Sequence, residues 1–274
     1  MRFVVIGGTG GIGWWVVRQL SAAGHTVTAL GRGWVESELP ACDAAVHMHA
    51  MSGKDAEHFV DALSRRADRL LVASSGDVYR AYGVIHRKEA APIDPSPLSE
   101  DSPLRTVLHL YPEMPDYDKI PVERIVMQAG KHNCVLRLPA VYGPGDSHHR
   151  AGGWLKAGAQ MGETYSRWRW THGYIENVAV AIALAAVDDR SAARIYNVGE
   201  AATPTMLERL RQIGRSQITL VPDEESALNY RQDLVMDSGR IRDELEFTEI
   251  VSEEEGLRRT ISWEVEASYV SRPS

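Results

Sequence analysis

Cysteine is scarce in this chain: Cys42 and Cys134 are the only two in 274 residues, too far apart and too few for a disulfide framework or a metal-ligand spacing. Both read as buried thiols in a reducing compartment, and no metal is expected. Basic charge is also short. Thirty Lys and Arg against 37 Asp and Glu leave a formal charge of −7, without the basic stripe that a phosphate backbone requires, so nucleic acid is excluded as a partner. Long hydrophobic runs are missing as well. The first apolar run, 3–6, is too short for a signal sequence, and no later stretch approaches the ~18 apolar residues of a membrane span. A cytoplasmic protein with no membrane partner is the expectation. With 44% hydrophobic and 24% charged residues, the chain can bury one large core or two unequal ones.

Strand-like runs at Arg2–Ile6, Thr26–Leu30, 44–48, 69–73 and Cys134–Leu138 alternate with amphipathic segments such as 12–23, 55–66 and 122–129. That alternation predicts an α/β fold, a Rossmann-type doubly wound parallel sheet whose first strands are buried on both faces. Residues 76–118 carry six prolines and no sustained period, which predicts a long lid or binding loop. After Pro139 the pattern loosens into a helix near 176–186, strands near 194–198 and 217–221, and two late helices. Ser252 and Glu255 form a capping box for the last helix, and Asp237 or Ser238 caps the one before it. The expected division is a dinucleotide-binding domain over 1–140 and a smaller substrate-binding region over 141–274, partly interleaved with it.

Gly7-Gly8-Thr9-Gly10-Gly11-Ile12-Gly13 follows a buried strand and opens a helix. Gly7 lets the chain turn, Gly10 lets backbone approach a pyrophosphate, and Gly13 lets helix and strand pack closely, with Thr9, Gly11 and Ile12 completing the cofactor contacts. At the end of the second strand, where an NAD site offers a carboxylate to the ribose, the sequence reads Leu30-Gly31-Arg32-Gly33. Arg32 suits a 2′-phosphate, which favours NADP over NAD.

With these residues in view, the chain resembles the extended short-chain dehydrogenases/reductases, the NAD(P)-dependent epimerase/dehydratase family. The likeness rests on Ser74-Ser75-Gly76-Asp77-Val78-Tyr79, on Lys119 and Glu123, on Arg137-Leu138-Pro139-Ala140-Val141-Tyr142-Gly143-Pro144-Gly145, and on Gly173-Tyr174-Ile175-Glu176-Asn177-Val178-Ala179. It implies that Ser75 holds the substrate oxygen, a tyrosine exchanges its proton, and Lys119 binds the nicotinamide ribose and lowers the tyrosine pKa. It also implies a homodimer through the helices at 55–66 and 122–129.

Two departures stand out. The family tyrosine lies four residues before the lysine, where this chain has Pro115; the nearest tyrosine is Tyr117. On a regular helix Tyr117 and Lys119 point about 200° apart. Pro121, however, belongs in a first turn, so Asp118 or Asp116 caps the helix and Tyr117 sits at or before its start, from where it can swing toward Lys119. Tyr117 is then either the acid/base or a lid residue beside the site. The second departure is at 31–42, where twelve residues replace the family's helix–strand–helix and its acidic contact to adenine. The adenine side is left open or closed by Trp34 and its neighbours.

Asp77, Tyr142, Trp154, Trp170 and His172 are candidate substrate contacts, and the tryptophans lean toward an aromatic or polyketide-like small molecule. His47 and His49 lie two residues apart at a strand end and are not expected to hold a metal, and His148 and His149 read as a solvated loop. The expectation is an NADP-linked oxidoreductase, epimerase or dehydratase acting at a carbon bearing oxygen. The alternatives are a non-redox isomerase, cyclase or dehydratase on the same fold, and a non-catalytic dinucleotide-binding protein.

Overall fold

Short apolar runs become strands and amphipathic segments become helices in the order the sequence predicts. The computed structural model describes residues 1–146, 148 and 150–270, the last four by their backbone. It opens with β1 (Arg2–Ile6), α1 (Gly11–Ala22), β2 (Thr26–Leu30), β3 (Cys42–His47), α2 (Gly53–Leu63) and β4 (Ala67–Ser75). Next come α3 (Arg80–Ile85), α4 (Lys119–Ala129), β5 (Cys134–Leu138) and β6 (Ala140–Tyr142). The later half adds α5 (Arg150–Lys156), β7 (Gln160–Gly162), α6 (Glu163–Arg167), β8 (His172–Tyr174), α7 (Ile175–Val187), β9 (Arg194–Asn197), α8 (Met206–Gln212), β10 (Thr219–Val221), α9 (Gly239–Leu245) and α10 (Glu253–Val270).

One six-stranded parallel sheet, in the order β2-β1-β3-β4-β5-β9, organises the molecule. Alternation along β1 sends Phe3 and Val5 into the core under α1 and α7, and Val4 and Ile6 into the core under α2 and α4. Both faces are thus covered, as an all-parallel sheet requires. The second half of the chain supplies β9 and α7 to this layer and also builds a third core around Tyr142, Trp154, Trp168 and Tyr174. Among the described residues, no helix is long and apolar enough to cross a membrane.

The local signals act as their chemistry dictates. Gly24 takes the left-handed conformation at φ +83° that ends α1, and Ser252 Oγ accepts from the Glu255 N–H at the start of α10. At α9 the cap bond comes from Asp237, whose carboxylate accepts from the Gly239 N–H at 2.8 Å, and not from Ser238. Two expectations need correction. β2 is not buried on both faces but is a partly exposed edge strand, because residues 31–42 hold only a three-residue helical turn, Glu36–Glu38, and nothing there pairs with its outer side. The 76–118 segment is not a continuous loop: it begins with a tight turn, Gly76–Val78, and then α3, whose six residues are too few to register as a period.

Candidate active site

The carboxyl ends of β1, β3 and β4 open into a cleft of about 690 Å³. Its wall holds Gly7, Thr9, Gly10, Gly11, Ile12 and Gly13 from the glycine loop, together with Arg32, Ser75 and Lys119. Ligands of open α/β sheets bind at this edge because the helix N-termini and strand ends converge there. The loop is pinned to the sheet by the N–H groups of Gly7 and Gly8, which donate to the Leu30 carbonyl at 2.8 and 3.0 Å, so the end of β2, and Arg32 with it, lies beside the loop. Arg32 is exposed on the cleft and, among the described residues, pairs with no carboxylate.

The loop fits a dinucleotide phosphate by shape. A Cβ on Gly10 or Gly11 would meet nothing within 4 Å, so bare backbone faces open space where a phosphate can approach. Gly10 caps α1 without any side-chain bond, which leaves the first N–H groups of the helix unclaimed and aimed at the cleft. Gly13 serves packing: a Cβ there would stand 2.1 Å from the Gly7 carbonyl oxygen. Gly13→Ala is therefore expected to displace the loop, costing about 1–3 kcal/mol of stability and abolishing dinucleotide binding. Thermal melts with and without NADPH check this; a variant still stabilised by NADPH like the wild type would contradict it.

Lys119 is the first residue of α4 and is buried. Its ammonium donates to the carbonyls of Ala50 at 2.6 Å and Ala73 at 3.2 Å, behind β3 and at the end of β4, and keeps a third hydrogen for the cleft. Burial brings its pKa down to about 8, so it is cationic at neutral pH and loses its charge on modest alkalinisation. Asp118 caps the helix by accepting from the Ile120 N–H at 3.0 Å, and Tyr117 lies just outside it, with its ring centroid 5.8 Å from Lys119 Nζ.

That placement brings Tyr117 to Ser75 and Asp77. The phenol donates to Asp77 Oδ2 at 2.5 Å, and Ser75, whose Oγ accepts from the Asp77 N–H at 3.3 Å, exerts an opposing, lowering influence on the phenol. Burial and the adjacent Asp77 carboxylate push Tyr117 far above the ordinary phenol range, the reverse of the lowering that the resemblance implies. Burial also raises Asp77, against the opposing pull of the Tyr117 hydrogen bond and of Arg105, and Asp77 Oδ1 is buried with no hydrogen-bond partner among the described residues. Ser75, Tyr117 and Asp77 thus form one polar cluster: Asp77 takes the Tyr117 hydroxyl on its carboxylate and gives its N–H to Ser75 Oγ. Tyr117 and Asp77 lie behind Ser75 and do not line the cleft themselves.

The fold has counterparts among solved structures, although no protein-family model and no curated relative matches the chain. MoeE5 in complex with UDP-glucuronic acid and NAD superposes with a TM-score of 0.72 at 20% identity, over 97% of this chain and 100% of that one. The UDP-glucose 4-epimerase of Thermotoga maritima gives 0.71 at 16% identity, over 98% and 100%. RMD from Pseudomonas aeruginosa, complexed with NADPH, gives 0.70 at 17%, over 96% and 99%. The fold is that of the extended short-chain dehydrogenases/reductases. In that fold, the motif from Ser74 to Tyr79 ends β4 and turns, and Glu123 lies one helical turn beyond Lys119, buried against Arg137 at 2.8 Å and accepting from Ser74 Oγ at 2.5 Å.

The expected substrate contacts fare differently. Tyr142, Trp154, Trp170 and His172 do not line the cleft. Tyr142 donates to Glu200 at 2.6 Å, while His172 is buried among the rings of Tyr142, Trp154 and Trp170 and is held neutral by that burial. Their aromatic surface is spent on the third core. His47 is likewise kept neutral by burial, at about 3, while His49 and the exposed His148 reach the cleft wall; His149 lies outside the described residues.

Arg150 is the residue that sequence reasoning missed. It lines the cleft with Nε held by the Val141 carbonyl at 3.0 Å and its guanidinium 5.3 Å from the Trp170 ring. The buried arginines each have a carboxylate: Arg69 has Asp189, Arg105 has Asp118, Arg137 has Glu123 and Arg209 has Glu200, whereas Arg150 is half-buried. Arg150, among the described residues, has no ion-pair partner, and burial lowers its pKa. Arg167 and Arg169 stand in the same stretch of sequence, and only the fold shows which arginine turns inward.

Proposed function

We propose that this chain is an NADP-linked enzyme of the epimerase/dehydratase type, acting at a hydroxyl-bearing carbon of a small anionic substrate such as a nucleoside-diphosphate sugar. The observation that carries this reading is the convergence in one cleft of the bare glycine loop, Arg32, Ser75 and Lys119. Arg32, in place of a carboxylate after β2, supports NADP. Arg150 supports a negatively charged substrate, since a half-buried guanidinium on the cleft wall with no ion-pair partner among the described residues gains from an arriving anion. With the tryptophans absent from the cleft wall, an aromatic substrate loses the feature that suggested it.

A bound nicotinamide supplies a reversible hydride acceptor. The chain's own part is to move the proton. Ser75 Oγ meets the substrate hydroxyl and passes its proton toward the neighbouring Tyr117, Tyr117 donates to Asp77 Oδ2, and Asp77, raised by burial, takes the proton. Tyr117 works as a neutral relay in this scheme. Lys119 holds its position on two strand ends and offers its remaining hydrogen to the ribose. The displaced and unionisable Tyr117 also favours a second reading, in which the dinucleotide binds and no hydride is exchanged.

A fluorescence titration with NADPH and NADH tests the first reading. Wild-type protein is expected to prefer NADPH, and Arg32→Ala to lose about 10- to 100-fold in NADPH affinity with NADH little changed. No binding of either nucleotide at high micromolar concentration would defeat it, and binding without turnover on any nucleoside-diphosphate sugar would favour the second.

A further inference from the structure

A second pocket of about 340 Å³ opens beside the cleft and shares Arg32, His49 and Met51 with its wall. It lies between the short 31–42 segment, whose regular structure is limited to the turn Glu36–Glu38, the end of β3 and the start of α2. Trp34 from that segment and His58 from α2 line it, stacked with ring centroids 4.5 Å apart and planes 24° apart. Asp55 also lines it. Its Oδ2 is used by the N–H groups of Met51 and Ser52, both at 2.9 Å, whereas Oδ1 takes no hydrogen bond among the described residues.

We propose that this pocket is the adenine subsite of the bound dinucleotide, built by the Trp34–His58 stack and Asp55 in place of the missing elements. The inference rests on the dinucleotide reading above. A purine needs a flat apolar surface for its face and an acceptor for its exocyclic amine. The stacked rings supply the first and Asp55 Oδ1 the second. Arg32 stands at the junction of the two cavities, so a phosphate on the adenosine ribose would meet it at the point where adenine turns into the pocket. In this account the shortened sequence keeps adenine recognition and moves it onto α2.

Half-molecule probes test this. NADPH, adenosine 2′,5′-bisphosphate and reduced nicotinamide mononucleotide are titrated calorimetrically into wild type, Trp34→Ala and Trp34→Phe. Trp34→Ala is expected to weaken NADPH and the bisphosphate at least about tenfold and to leave the mononucleotide unchanged, while Trp34→Phe, which keeps a ring, stays near wild type. Equal NADPH affinity in Trp34→Ala and wild type would overturn the adenine subsite with the dinucleotide reading intact. Equal loss of the bisphosphate and the mononucleotide would also overturn it, since Trp34 would then support the whole cleft. A wild type that binds none of the three would remove the dinucleotide reading and this subsite together.

Discussion

Asp77→Asn is expected to lower kcat by about 10²- to 10⁴-fold while NADPH binding stays at the wild-type level. In the proposed scheme the proton that leaves the substrate oxygen runs inward by way of Ser75 and the Tyr117 hydroxyl to Asp77, to which Tyr117 donates at 2.5 Å. Tyr117 cannot keep it, because burial and the neighbouring carboxylate hold the phenol protonated. Asp77 can accept it only when ionised, so activity must rise with pH through the Asp77 pKa. Burial has raised that pKa, and the acid limb is expected above the ordinary carboxylate range. The asparagine, isosteric and unable to take a proton, should abolish the limb along with the rate. A variant that keeps the wild-type rate would remove Asp77 from the chemistry, and an unshifted limb with a lost rate would leave it a positioning role.

Arg105→Ala is expected to cost about 3–5 kcal/mol of stability, read from urea unfolding. Arg105 and Asp118 form an ion pair with both side chains 1% exposed, bonded twice at 2.9 Å. Asp118 also accepts from the His109 and Ile120 N–H groups, which ties the 86–118 segment to the start of α4. Burial pushes the Asp118 carboxyl up, but Arg105 and these N–H groups outweigh it and hold the pKa below the usual value. The stabilisation is therefore complete at neutral pH and fades as pH falls through the depressed value. Truncating Arg105 strands a charge in the interior, whereas Arg105→Met with Asp118→Asn removes the charge and is expected to recover much of the loss. A midpoint for Arg105→Ala within about 0.5 kcal/mol of wild type would show that the pair does not fasten the segment.

The sheet was legible in the sequence because its signals are local. Apolar runs and the glycine loop each act within a few residues, and β1, β2 and β5 fall on their expected bounds. The start of α4 was legible for the same reason, since Pro121 and Asp118 restrict it from either side. Burial across the sheet was less so: β2 is apolar enough for an interior strand, and its edge position depends on what residues 31–42 fail to build. The site's polar partners were least visible. Arg105 and Asp118, or Tyr117 and Asp77, meet through a fold that closes 13 and 40 residues of chain, and no periodicity reports such pairs. The tryptophans misled because their types fit a ligand wall and a core equally well, and the third core claimed Trp154 and Trp168.

A diffraction structure of the protein crystallised with NADP tests the central claim most directly. The account expects the pyrophosphate against the backbone of Gly10 and Gly11, the 2′-phosphate on Arg32, the adenine on Trp34, and the nicotinamide ring beside Ser75 and Lys119. A nucleotide seated elsewhere, or density absent from this cleft at saturating NADP, would contradict it.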